Sequence, residues 1–198
     1  MLRTFRLIAG AVLVLAASAA IAQGPAGNDL YPLKKGNKWV YKVDAQEVTV
    51  EVVGIEKVDK DDLIKLDTKV GGQTKASEYL LVKADGVYRA KVNNDKIEPP
   101  VKIIPIPAKK GDSWKIESKV GTQTVKGEFK ISDDKTKVMV PAGTFENAIL
   151  IEGNDLDIAG TKTSVKKWFV PGKGIVKLTY TIQQTESTLE LKEFTPAK

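Results

Sequence analysis

The sequence predicts an all-β protein: an antiparallel curved sheet, half-barrel or sandwich of about 10–11 strands. Three observations carry this. Apolar and polar residues alternate with period two almost from end to end. No segment after the N-terminal leader keeps a helical period over 11 residues. A turn-then-strand signal, Lys34-Lys35-Gly36-Asn37-Lys38-Trp39, recurs as Lys109-Lys110-Gly111-Asp112-Ser113-Trp114.

Taken in order, Trp39, Tyr41 and Val43 share one face of a first strand, and Val48, Val50 and Val52 alternate with Thr49 and Glu51. Ile64 and Leu66 alternate with Lys65 and Asp67, and Gly71-Gly72 reverses the chain. Tyr79 to Val82 is continuously apolar, as in a strand covered on both faces. Asp85-Gly86 and Asn93-Asn94-Asp95 are further turns. Residues 98–108 carry Pro99, Pro100, Pro105 and Pro107 among aliphatics. Proline cannot donate to a ladder, so this piece reads as an edge strand or extended connector between halves 31–97 and 109–198.

The second half repeats the pattern. Trp114, Ile116, Ser118 and Val120 face one way, and Val125, Gly127, Phe129 and Ile131 alternate with Lys126, Glu128 and Lys130. A turn is expected at Asp133-Asp134, then strands around Val138–Val140, Ala148–Ile151 and Trp168–Val170, and a last hairpin from Ile175 to Phe194. The halves align with a shift near residues 140–149, as two β-meanders with one insertion would. The alternative is that strands built from Lys, Thr, Val and Gly align with one another cheaply. A sheet with one charged face needs cover on the other. With no amphipathic helix to supply it, the sheet must fold into a sandwich or curl into a barrel, unless the connector, a ligand or a partner lies across it.

The chain opens with Arg3 and Arg6, an apolar run from Leu7 to Leu15, and Ala20-Ile21-Ala22. This is the pattern of a secretory signal peptide over residues 1–22, too short to span a bilayer. Residues 23–30 read as a flexible tail and 31–198 as a single β domain. The expected product is exported, periplasmic or extracellular, with no stable membrane span. Removing the two leader arginines lowers the formal net charge from +6 to +4, with both signs interspersed. That suits solubility and does not mark a nucleic-acid binder. There is no Cys, hence no disulfide framework and no lipidated cysteine; stability must come from a hydrophobic core.

There is also no His. This removes the usual general base near neutral pH and the commonest zinc ligand. Three acidic clusters, Asp59/Asp61/Asp62, Asp133/Asp134 and Asn154/Asp155/Asp157, lack calcium-loop spacing and read as turn formers. No G-x-S-x-G elbow or phosphate loop occurs. The reading is therefore not an enzyme, with no catalytic, metal or cofactor residues and no cofactor. Trp39, Trp114 and Trp168 are packing anchors, or else line a concave apolar site.

Three pieces together carry a resemblance: Tyr31-Pro32-Leu33 through Gly36-Asn37 to Trp39 and Tyr41; Val140-Pro141-Ala142-Gly143-Thr144-Phe145; and Trp168-Phe169-Val170-Pro171-Gly172 through Gly174-Ile175-Val176-Lys177. In these the chain resembles the exported bacterial β-proteins of the TapB-like group. The resemblance implies a curved sheet or half-barrel, distantly like the periplasmic lipoprotein carriers, and no catalytic residues. No plug helix of the carriers' kind is evident. The functional expectation is an exported, non-catalytic binding protein holding a lipid-like or apolar ligand on a concave sheet face. The alternative is a structural protein of the envelope that pairs with a protein partner through an exposed edge.

Overall fold

The computed structural model describes residues 29–198. The expected signal peptide and residues 23–28 of the tail lie outside the described residues. Twelve strands run β1 (Lys38–Val43), β2 (Gln46–Val58), β3 (Asp61–Val70), β4 (Gln73–Lys83), β5 (Gly86–Val92), β6 (Asp95–Pro105), β7 (Ser113–Val120), β8 (Gln123–Val140), β9 (Gly143–Ile158), β10 (Thr161–Val170), β11 (Gly174–Ile182) and β12 (Thr185–Thr195). Each pairs antiparallel with its neighbours in sequence, and β1 also pairs with β12.

The sheet is thus a closed 12-stranded barrel, not the half-barrel, open curved sheet or sandwich expected from sequence. The physical reason is that closure solves two problems at once. It buries the apolar face without a helix, and it pairs the strand edges that an open sheet would expose. The strand count is twelve rather than about 10–11, with the Pro-rich residues 98–105 forming strand instead of connector. Asp133 and Asp134 do not reverse the chain; they sit in bulges of one long strand, β8.

The expected faces are the observed ones. Trp39 and Tyr41, Ile64 and Leu66, and Phe129 and Ile131 point inward and are buried. Lys69–Glu51, Lys177–Glu190, Lys166–Glu152 and Lys126–Glu117 form ion pairs across neighbouring strands of the outer wall. Water screens such exposed pairs, so each adds little stability, but they set the polarity. The wall is charged outside and apolar inside, the reverse of a membrane-spanning barrel. The apolar run Tyr79–Val82 is covered on both faces, as expected. Leu80 points into the barrel, while Tyr79 packs outside with Leu63 and Ala90, under the far end of the β2–β3 hairpin.

The two halves contain six strands each and begin with the same local structure. The Gly36 N–H donates to Val52 O (2.8 Å), and the Val52 N–H to Asn37 O (2.9 Å). The Gly111 N–H donates likewise to Ile131 O (2.9 Å), and the Ile131 N–H to Asp112 O (2.8 Å). Gly36 and Gly111 have φ of +93° and +95°, a region that disfavours any residue with a Cβ. The second half differs chiefly in β8 and β9, of 18 and 16 residues against 13 and 10 for β2 and β3.

That extra length closes one end of the barrel. Call the end with the β2–β3, β4–β5, β6–β7, β8–β9 and β10–β11 connections the lower end. There the β8–β9 hairpin reaches across the interior, and the Ala142 N–H donates to Leu191 O of β12 (2.8 Å). Val138, Val140 and Ala148 are buried beneath it. The segment before β1 crosses the same end. Tyr31 meets Trp39 and Phe169 edge-on, with ring centroids 5.9 and 5.7 Å apart, and Phe194 lies 5.3 Å from Trp39. The Trp39 indole donates to Lys173 O, and the Tyr41 hydroxyl to Ile175 O. Burial holds both Tyr31 and Tyr41 phenols well above their usual pKa, so they stay neutral. This plug is made of hairpin and loop rather than helix.

The Pro-rich residues 98–105, read as part of a connector, belong to β6 and pair with β5 from Val101 to Pro105. Toward β7 the ladder is short. Only Ile97↔Val120 and Glu98↔Lys119 pair, and the ladder stops where Pro99 and Pro100 begin. Below that point the Trp114 indole donates to Lys102 O (3.0 Å), a side-chain bond where the main chain offers none.

Candidate functional site

The upper half of the barrel is not filled. Between the plug and the upper turns lies a cavity of about 410 Å³, bounded by the inward faces of β5 to β11. Its size falls within the ~300–1,000 Å³ of small-molecule sites. Most of its lining is aliphatic: Val101 and Ile103 of β6, Ile116 of β7, Leu156 and Ile158 of β9, and Leu178 of β11 belong to it. Phe129 forms part of the wall, with Trp114 stacked behind it at 5.8 Å.

Glycines shape this space. A Cβ on Gly153 would come within 2.5 Å of the Phe129 ring, and one on Gly127 within 2.4 Å of Leu156. Their absence lets both side chains lie flat against the wall, leaving the lumen open above the plug.

Charged groups also face the lumen. Arg89 of β5 lines it and is held by Glu78 of β4, with Nε and Nη2 at 2.9 and 2.8 Å from the same carboxylate oxygen. Lys167 of β10 lines it too, its ammonium 4.7 Å from the centroid of the Phe129 ring. Burial pushes the Lys167 pKa down to about 7, helped by the nearby Arg89 charge and opposed by Glu78. Among the described residues no carboxylate pairs directly with Lys167. Gln123, Thr163 and Tyr180 complete the polar lining. Two basic side chains therefore line the cavity, one of them paired with Glu78 of β4.

None of the three tryptophans lines this cavity. Trp39 belongs to the plug, Trp114 backs Phe129 at the β6–β7 junction, and Trp168 faces outward with the Lys177 ammonium 5.8 Å from its ring. The acidic clusters bind their own backbone. Asp157 accepts from the Gly160 N–H, Asp133 from the N–H groups of Asp134 and Lys135, and Asp59 pairs with Lys96. Among the described residues no group of three acidic side chains converges as a metal site would require.

Sequence reasoning missed Lys167, Arg89 and Glu78. A signal was present for the first. Lys166 and Lys167 are consecutive in a strand, and consecutive strand residues point to opposite faces. One of the two had to face the interior.

No family model matches the chain, and no curated protein matches it. The resemblance to the TapB-like group therefore remains an expectation. Two solved structures share the course of the fold. One is a candidate lipoprotein from Parabacteroides distasonis, 14% identical, with a TM-score of 0.52 over 84% of this chain and 98% of its own. The other is a candidate exported protein with a YmcC-like fold from Bacteroides fragilis, 13% identical, with a TM-score of 0.50 over 84% of this chain and 99% of its own. At such identities the likeness shows the fold alone.

Proposed function

We propose that the chain is an exported, non-catalytic binding protein that holds an apolar or lipid-like ligand inside the barrel. The observation that carries this is the cavity of about 410 Å³, apolar-walled and lying above a fully packed plug. A barrel that needed only to be stable would fill that space with side chains, since interiors are otherwise close-packed. The N-terminal leader pattern supports export, as do the names borne by the two structural neighbours. The test is titration of the delipidated protein with a neutral apolar dye such as Nile red. Saturable binding, blocked by Ile116→Trp in the cavity wall, is expected. A protein that folds and takes up no dye would sink the reading.

A second reading is a partner strand or peptide at the β6–β7 junction, where β6 is unpaired on its β7 side from Pro99 to Pro105. Cross-linking in envelope fractions through a photoreactive residue at Lys119 would capture such a partner. Recovery of the uncross-linked chain alone would count against it.

A further inference from the structure

We infer that the ligand is an anionic amphiphile, a single aliphatic chain whose acidic head pairs with Lys167 and Arg89. This rests on the apolar-ligand reading above and adds the chemistry of the head group. The charge inventory of the lumen carries it. On the outer wall, lysines with no ion pair among the described residues, such as Lys115 and Lys130, are exposed to water, whereas the lumen sets Arg89 and Lys167 against Glu78 alone. An ammonium inside an apolar wall is costly unless paired, and at Lys167 the Phe129 ring face is the nearest partner given by the structure. An apolar residue at 167 would fill the wall at no such cost, so the basic side chain there has a use that packing does not explain.

The surroundings favour an acid over other heads. A neutral head would gain hydrogen bonds from Gln123, Thr163 or Tyr180 but leave Lys167 uncompensated. A cationic head would face two like charges at short range. An acid head supplies the missing negative charge, and its tail meets the aliphatic faces of β6, β7 and β9. The groups that set the charge at Lys167 are Arg89 and Glu78 from β5 and β4, with Tyr180 as the titratable hydroxyl from β11.

Three chain-matched probes separate the terms: dodecanesulfonate and dodecylammonium below their critical micelle concentrations and dodecanol below its solubility limit, each titrated calorimetrically into the delipidated full domain. The sulfonate keeps its charge at every pH used, so any pH dependence belongs to the protein. It should bind more tightly than the alcohol and lose affinity as the pH rises above about 7. Lys167→Met should weaken the sulfonate about tenfold and leave the alcohol as before. Should that variant fail to fold, the pH series on the native chain decides the matter alone. Equal, pH-independent binding of sulfonate and alcohol would overturn the anionic head and leave the apolar-ligand reading standing. So would preference for dodecylammonium. If no probe binds, both readings fall together.

Discussion

The two junctions between the barrel halves start from one motif and end differently. At β12–β1 the ladder runs from Lys38↔Thr195 to Lys42↔Glu190, and Trp39 is 1% exposed among Tyr31 and Phe194. At β6–β7 two residue pairs hold, and Trp114 is half-buried against Phe129. The preceding turns have the same hydrogen bonds and the same glycine conformation. What differs is the partner strand. Thr195 to Glu190 offers a donor at every position, whereas Pro99 and Pro100 offer none. The closed junction borders the plug, and the loose one borders the cavity. A repeated local structure thus supplies the strand start in both halves, and the neighbour decides whether its tryptophan builds core or wall.

Exchanging the tryptophans should break the comparison most visibly. Trp39→Ala removes a fully enclosed side chain and is expected to cost about 3–5 kcal/mol, read as a large fall in Tm. Trp114→Ala should cost less, about 2 kcal/mol, because its neighbour Phe129 already faces open space. It should also change affinity for the lumenal probe, which Trp39→Ala should not do in the protein that remains folded. Equal losses at the two sites would mean that the junctions are energetically alike.

The next residue pair sharpens the same contrast. The Asn37 side chain is 3% exposed, donates to Pro32 O (2.8 Å) and accepts from the Ala197 N–H (2.7 Å). Asn37→Ala leaves those groups unsatisfied and should cost about 1–3 kcal/mol in chemical denaturation. Among the described residues Asp112, its counterpart, accepts from the exposed Lys109 N–H alone, and Asp112→Ala should cost less than about 1 kcal/mol.

The last contrast is one of pH. Lys167 has a folded pKa lowered to about 7 from 10.5. The unfolded chain therefore binds the proton more tightly between those values. Stability should rise with pH across that window and stay at its lower plateau below about 7, with the destabilisation by the charge fully present there. Lys167→Met should flatten the rise and be at least as stable near neutral pH. Denaturation midpoints at several pH values measure this; an unchanged slope in the variant would place the titration elsewhere.

Much of the wall was legible from local pattern. Alternation assigned Trp39, Ile64, Phe129 and Ile131 to the inner face, and the recurrent Lys-Lys-Gly motif located both half-starts. Closure was legible only as one way to cover the dry face, because pairing of Trp39 with Phe194 joins residues at opposite ends of the sequence and no local signal specifies it. Asp133 and Asp134 misled because bulges and turns favour the same residues. The lumenal charges were hidden by composition. Lys167 looks like the many lysines of the outer face until its neighbour Lys166 is given a side of the strand.

The order of the strands has a consequence for how the chain finds its structure. Every ladder except one joins strands that follow each other in sequence, so eleven of the twelve form by short-range zipping of hairpins. The twelfth, β1 with β12, must bring together residues separated by most of the domain and carries the loop-closure entropy of the whole meander in one step. The hydrogen bond from Ala142 to Leu191 O needs β12 in place before it can form. Sealing of the lower end and completion of the ring are therefore one late, cooperative event, and the speed limit of folding rests on contact order concentrated at a single joint.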